Sequence, residues 1–169
     1  MIPNNPPTIY LAGAIRDDHP EDIEWREWAM ARLNGLAVFL NPLASKRQDN
    51  GEWTSSGIIP DGKFLVKHDF WCVRHADIIL ANLSSLSQGY NSIGTLMELG
   101  HASAFQEKLI YTVLDPGFKG HTNLRMYTLH PFLEQVSAQK FFTVLDAINF
   151  LNLHLRVLSG SNPHYGGRP

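Results

Sequence analysis

The chain has 169 residues, enough for one domain with a sizeable core that needs neither disulfides nor metals. Its hydrophobic content of 44% and charged content of 18% are ordinary for a globular protein, and a net charge of -2 argues against a broad nucleic-acid surface. Cys72 stands alone, which excludes a disulfide framework and points to a reducing compartment. No run approaches the roughly 18 consecutive apolar residues of a spanning helix, so no membrane is expected as a partner. The N-terminal MIPNNPPTIYLAGAIRDD lacks a basic region ahead of its short apolar run and does not read as a signal peptide. These features predict a cytoplasmic protein and a single domain over residues 1–169, with tails at 1–7 and 157–169.

Thr8 to Ala12 reads as a short buried strand that ends at Gly13. A helix follows: Pro20 suits its first position, and Glu21, Asp22 and Glu24 complement the dipole of its first turn. Trp25, Trp28, Ala29 and Leu33 repeat at helical spacing and predict its buried face. Asn34-Gly35 closes it as a left-handed cap would. Leu36 to Leu40 is a second strand, stopped by Asn41-Pro42. Residues 43–61 read as one long polar loop around Trp53, of the kind that serves as a lid or stays disordered. A helix runs from about Gly62 to His75, and Asp77 to Leu83 is the most convincing strand of the chain. After a loop rich in Ser, Gln, Gly and Asn comes a helix from about Thr95 to Glu107, then a strand over Leu109–Leu114. Phe132 to Val136 reads as a fifth strand and Thr143 to about Leu155 as the final helix.

Strands alternating with helices predict an α/β fold, Rossmann- or flavodoxin-like, with a parallel sheet of about five strands and helices on both faces. Ligands of such sheets sit beyond the carboxyl ends of the strands, near the switch in strand order. Segments 13–17 and 84–98 are therefore expected to line the site.

That rule separates two aspartates. Asp77 opens a strand and belongs on the far edge, whereas Asp69 lies in the second turn of a helix that begins on the ligand side. Asp69 shares a stripe with Leu65, Val66, Cys72, Val73 and Ala76, which makes it an acid on an apolar face. Two readings stay open: a functional acid, or a core Asp satisfied by backbone N–H groups or Arg74. Glu98 is also double. Thr95-x-x-Glu98 fits a capping box with Thr95 as N-cap, yet the position places the carboxylate at the expected pocket. Ser92, Gly94 and Thr95 precede a helix start, where free N–H groups favour an anion, and Arg16 after the first strand would face the same place. Each has a blander reading as a solvated Arg or an ordinary cap, and together they point to an anionic ligand. No zinc-type histidine spacing, GxxxxGKS phosphate loop or GxSxG elbow is present.

Ile9-Tyr10-Leu11-Ala12-Gly13, Asp69 eight residues before Asp77, and Ser92-Ile93-Gly94-Thr95-Leu96-Met97-Glu98-Leu99-Gly100-His101-Ala102 together resemble the nucleoside 2-deoxyribosyltransferase family. The resemblance extends from Thr8 to about Phe150, specific in Gly-Thr-x-x-Glu-x-Gly and weak over 43–61. The family contains base-exchanging transferases and hydrolases of nucleoside 5'-monophosphates. The resemblance implies Glu98 as the nucleophile at C1', Tyr10 as the residue orienting it, and Asp69 as acid/base at the departing nucleobase. It also implies Gly13, Arg16, Ser92 and Gly94 around the sugar and phosphate, and Asn123 reaching into a neighbouring subunit's site, hence a homo-oligomer with shared active sites.

Ser92 stands where transferases acting on free nucleosides commonly carry Asp, and Arg16 matches the phosphate-binding Arg of the hydrolases. Ala14, in contrast, replaces a phosphate-binding Ser of one hydrolase branch, and the loop at 84–91 is longer. The implied partners are a nucleoside or nucleotide and a nucleobase, not a nucleic-acid polymer, and no cofactor or metal is implied. A carboxylate nucleophile with an acid at the leaving group suits displacement at an anomeric carbon. The expected activity is cleavage of the N-glycosidic bond of a (deoxy)nucleoside 5'-monophosphate. Base exchange on free 2'-deoxynucleosides is the alternative, and a nucleotide-sensing module without turnover is the alternative of another class. Trp53, Phe64 and Tyr90 are candidates to stack on the base.

Overall fold

The computed structural model describes residues 5–16, 18–49, 52–55, 62–87, 89–90, 92–105, 107–114 and 131–160. Strand β1 (Thr8–Gly13) is followed by helix α1 (Glu21–Arg32), strand β2 (Val38–Leu40) and a short 3-10 turn at Pro42–Ser45. Strands β3 (Lys46–Asp49) and β4 (Glu52–Ser55) come next, then α2 (Gly62–His75), β5 (Ile78–Asn82), α3 (Ser84–Ser87) and α4 (Ile93–Ala102). The chain goes on through β6 (Leu109–Val113), α5 (Pro131–Val136), β7 (Gln139–Phe141) and α6 (Val144–Leu158).

Five strands form one sheet in the order β2-β1-β5-β6-β7, with every neighbouring pair parallel. The chain steps from β1 outward to β2 and then back across to β5, so β1 and β5 flank the switch in strand order. Their register sets Gly13 opposite Asn82 at the carboxyl edge. Parallel strands are buried on both faces and read as continuous apolar runs, as IILA of β5 does. Side chains alternate between the faces. Ile9, Leu11, Ile78 and Leu80 pack beneath α1 and α6 through Trp25, Ala29, Leu33, Ile148 and Leu151. Tyr10, Ala12, Ile79 and Ala81 meet α2, α4 and α5 through Val73, Leu99, Ala102 and Leu133.

Several expectations change. Phe132–Val136 is not a strand: it lies in α5, where Pro131 suits a first helical turn and Leu133 and Val136 meet the core three residues apart. Phe-Leu-Glu-Gln-Val is only five residues long and fits either period. The fifth strand is Gln139–Phe141 instead, at the sheet edge, where a short strand with a lysine is favourable. The 43–61 segment is not one loop, because β3 and β4 pair antiparallel, with Gln48 opposite Trp53. The helix expected from Thr95 to Glu107 spans Ile93–Ala102 with Ser92 at its N-cap. Trp28 is 58% exposed, and the buried stripe of α1 runs instead through Asp22, Trp25, Arg26, Ala29 and Leu33. Counting charged residues as polar hid Asp22 and Arg26 from that stripe. Gly35 has φ +76°, the left-handed conformation expected beyond α1.

Gly13 is needed for space. A Cβ there would lie 3.1 Å from Trp25 Cζ2, 3.2 Å from Arg26 Nη2 and 3.2 Å from the Asn82 carbonyl oxygen. Gly13→Ala is expected to cost about 1–3 kcal/mol of stability, as overpacking does. Urea unfolding measures this, and an unchanged midpoint would contradict the packing described.

Candidate active site

Tyr10 points from β1 toward α2 and α4 and is fully buried. A buried phenol needs a partner, and Tyr10 Oη donates to Glu98 Oε1 over 2.9 Å, joining positions 88 residues apart. Glu98 sits in α4 and Asp69 in the middle of α2, each less than one-tenth exposed. Glu98 is therefore not the reaching arm of a capping box: Ser92 holds the N-cap position, and Thr95 lies inside the helix with Oγ1 2.7 Å from Ser92 Oγ. Asp77, by contrast, accepts from the Thr8 N–H over 2.8 Å at the opposite edge, as its place in the sequence predicts.

Burial, and after it the negative charges of Glu98 and Asp69, push the Tyr10 phenol well above its ordinary value, so it remains a donor. The same region raises the Cys72 thiol to about 11, again through burial first and then Asp69 and Glu98. A thiol held in that form is inert as a nucleophile. Glu98 is bonded to Tyr10 and Asp69 lies one helical turn before Cys72, and Tyr10, Cys72 and Leu99 belong to the same core on this face of the sheet. His68 Nδ1 lies 3.5 Å from Asp69 Oδ1 at the rim of this region. Arg74 stacks over Phe105 at 5.9 Å, away from the role of partner to Asp69.

The loop after β1 supplies the other polar groups. Arg16 donates from Nε to Asp22 Oδ2 at 2.7 Å and from Nη2 to Asp22 Oδ1 at 2.8 Å, while its backbone N–H reaches Oδ2 at 3.1 Å. The hydrogen bond to Asp22 raises the guanidinium above its ordinary value. Arg16 also lies 5.3 Å over the ring of Tyr90, two residues before Ser92. Gly94 is in the exposed first turn of α4, and a Cβ there would meet nothing within 4 Å. Phe64 is 55% exposed, and Tyr90 carries Arg16 on its ring. Asn123 lies outside the described residues.

Sequence reasoning missed Asp22 and Arg26. Both are buried in α1, and Arg26 is wholly so. Its Nη2 donates to the Gly13 carbonyl at 2.9 Å, Nη1 to that of Ala14 at 3.2 Å and Nε to that of Leu11 at 3.3 Å. Nη1 also donates to the Asp22 carbonyl. The usable signal was their i, i+4 spacing on the side of α1 that carries Trp25 and Ala29.

A cleft of about 440 Å³ opens between the first turns of α1 and α6, lined in part by Arg16, Asp22, Trp25, Asn82, Ser85 and Leu145. Tyr10, Asp69 and Glu98 do not line it. The buried acids, rather than this cleft, mark the chemistry: the cleft's arginine is already bonded to Asp22, and nothing in its lining pairs a nucleophile with an acid.

No family model matches the chain, and no curated protein matches it in sequence. Solved structures do. The CMP N-glycosidase BcmB of Clostridium botulinum matches with a TM-score of 0.55 and 18% identity, over 87% of this chain and 98% of that one. A 2-deoxyribosyltransferase of Bacillus psychrosaccharolyticus matches with a TM-score of 0.59 and 17% identity, over 84% and 90%. The 2-desoxiribosyltransferase of Leishmania mexicana matches with a TM-score of 0.55 and 20% identity, over 88% and 99%. The chain therefore has the flavodoxin-like α/β fold of these enzymes. All three are proteins of the kind to which the sequence motifs point.

The Tyr10 phenol makes a test of the buried bond. The unfolded chain gives up the phenolic proton near pH 10, whereas the folded protein retains it, so alkali favours unfolding. Wild type is expected to lose stability relative to Tyr10→Phe as the pH rises above about 10, by the linkage of proton binding to unfolding. Urea unfolding at about pH 8 and about pH 11 measures it. A difference that stays constant with pH would contradict a raised Tyr10.

Proposed function

We propose that the protein cleaves the N-glycosidic bond of a nucleoside 5'-monophosphate with Glu98 as nucleophile. The observation that carries the reading is the buried Tyr10–Glu98 hydrogen bond, with Asp69 delivered to the same region by α2. In the first step the other Glu98 oxygen attacks C1', the C1'–N bond breaks, and its electron pair leaves with the base. Asp69 in its protonated form gives a proton to the base nitrogen, so that a neutral base departs. Tyr10 donates to Oε1 throughout and holds the carboxylate at a fixed orientation. In the second step a water oxygen attacks C1' of the glycosyl ester, Asp69 takes the proton, and Glu98 is released. Two displacements at one carbon retain configuration. A second base in place of water gives transfer instead of hydrolysis by the same residues.

The phosphate part rests on Arg16, which lies over the ring of Tyr90 two residues before Ser92, and on the likeness to a CMP N-glycosidase. A second reading has an observation of its own. Arg16 is already paired bidentately with buried Asp22, so a phosphate would meet an ion pair, and a free 5'-hydroxyl suits that better. Two of the similar enzymes are 2-deoxyribosyltransferases, and base exchange on free 2'-deoxynucleosides is this second reading. In either case the site is proposed to be completed by Asn123 of a neighbouring copy.

Chromatography of the products decides between them. The protein is incubated with ribo- and deoxyribonucleoside 5'-monophosphates and the free nucleosides, with and without a second base. Free base from monophosphates alone is expected, abolished in Glu98→Ala and reduced about 10²–10⁴-fold in Asp69→Asn, the usual range for loss of a general acid. Exchange on free nucleosides would establish the second reading. No release from any substrate, or release that persists in Glu98→Ala, would contradict both.

A further inference from the structure

Asp22 is a buried acid that the two displacement steps leave unused, and its carboxylate takes three hydrogen bonds from one residue. Arg16 Nε donates to Oδ2 at 2.7 Å, Arg16 Nη2 to Oδ1 at 2.8 Å, and the Arg16 backbone N–H to Oδ2 at 3.1 Å. The two side chains are 10% and 9% exposed, so the pair is poorly screened by water and salt. Two parallel N–H groups on two oxygens is also how a guanidinium holds a phosphate. The Asp22 carboxylate therefore stands where two phosphate oxygens would stand on the Nε–Nη2 edge of Arg16. It is favoured there from its own side as well, because it lies in the first turn of α1, where the helix dipole suits an anion.

The pair lines the cleft between the first turns of α1 and α6, and a ligand meets it from there. Among the described residues lining that cleft the charged groups are Arg16, Glu21, Asp22 and Glu24, three carboxylates against one guanidinium. Glu21 Oε1 lies 3.8 Å from Arg16 Nη2 and 2.6 Å from His19 Nδ1. A phosphate entering here adds negative charge. To take the Nε–Nη2 edge it must displace a buried carboxylate, which then loses its donors. A hydroxyl adds no charge and donates directly to a carboxylate oxygen, and Oδ1 holds one Arg16 bond where about two fit. Asp22 thus weighs against phosphate whichever substrate the site takes.

We propose that Asp22 is a specificity-determining residue, whose carboxylate occupies the Nε–Nη2 edge of Arg16 and so lowers the preference of the site for a 5'-phosphate over a 5'-hydroxyl. Its bearing on the substrate rests on the reading that puts the 5' end at Arg16. Further partners of Arg16 leave this competition in place, because that edge is engaged by Asp22 at 2.7 and 2.8 Å. Asp22→Asn keeps the shape of the side chain and one oxygen for the Arg16 N–H. It removes the negative charge and sets an amide donor against the guanidinium, which opens the edge to phosphate oxygens.

The test compares the wild type with Asp22→Asn and with a double variant carrying Arg16→Gln and Asp22→Asn. Preference is the ratio of KM for a free nucleoside to KM for its 5'-monophosphate, with the competitive inhibition constant used for whichever is not turned over. In Asp22→Asn the ratio is expected to move toward the monophosphate by more than about 10-fold, the size of one hydrogen bond to a charged group. The double variant is expected to lose the gain. A readout independent of turnover is the urea midpoint in inorganic phosphate against sodium chloride at equal ionic strength. Phosphate should stabilise Asp22→Asn more than the wild type, as a ligand of the folded state does.

An unmoved ratio in folded Asp22→Asn overturns the proposal. So does a ratio that moves toward the free nucleoside, which would make Asp22 a support that aims Arg16 at the phosphate. Should Asp22→Asn not fold in chloride, folding in phosphate alone supports the proposal. Failure in both overturns it, because the fold rather than the choice of ligand would then need the carboxylate. Phosphate stabilisation of Asp22→Asn that the double variant loses, in a protein that releases no base, would uphold the competition for Arg16 and remove the N-glycosidase reading. Base release with an unmoved ratio would do the reverse.

Discussion

Glu98 is an ionisable group withdrawn from water, and a carboxylate in that situation needs a donor within reach and a reason to stay charged. Tyr10 provides the donor from the strand at the centre of the strand-order switch. That one bond ties β1 to α4, residues distant in sequence, and it settles where the ends of both must lie. Gly13 then falls opposite Asn82, the loop beyond it turns back onto α1, and Asp69 comes to the same region from α2. The interior of the sheet is ordinary apolar packing on two faces. Its carboxyl edge is where polar groups are buried, and that contrast localises the chemistry.

The surroundings of the bond are built from complementary demands. Carbonyls at the end of β1 need donors, and Arg26 supplies them; the N–H and guanidinium of Arg16 need acceptors, and Asp22 supplies those. Trp25 and Arg26 crowd Gly13 closely enough that only glycine fits without displacement. The first helix is therefore both a cover for one sheet face, through Trp25, Ala29 and Leu33, and the scaffold of the loop that enters the site. Its two buried charges fit the second role rather than the first.

How much of this was legible follows from what each residue must do. The strands of the sheet interior announce themselves because parallel strands are apolar throughout: TIYLA and DIILANL need no tertiary information. Asp77 was assigned to the far edge by topology alone, and it bonds Thr8 there. Glu98 was ambiguous because Thr-x-x-Glu satisfies a helix start and a pocket equally well by sequence; only the Tyr10 hydroxyl, fixed by long-range packing, separates the two. Phe132 to Val136 went wrong for a related reason, since five residues do not distinguish a period of 2 from one of 3.6. For Asp22 and Arg26 the i, i+4 spacing beside Trp25 was a weak signal, because charged residues on a helix are solvated by default and the burial of these two depends on carbonyls and N–H groups from another segment. The β3–β4 pairing is local, but it is a polar hairpin with no apolar alternation to mark its strands.

The central claim is that Glu98 itself becomes bonded to the sugar. Intact-protein and peptide mass spectrometry of a reaction quenched in acid during turnover tests it without reference to product identity. The account predicts a mass increment equal to the glycosyl group of the substrate used, confined to the peptide containing Glu98 and absent from Tyr10→Phe only to the extent that turnover slows. An adduct on another residue, or steady release of base with no adduct at any time point and an inverted sugar product, would contradict it.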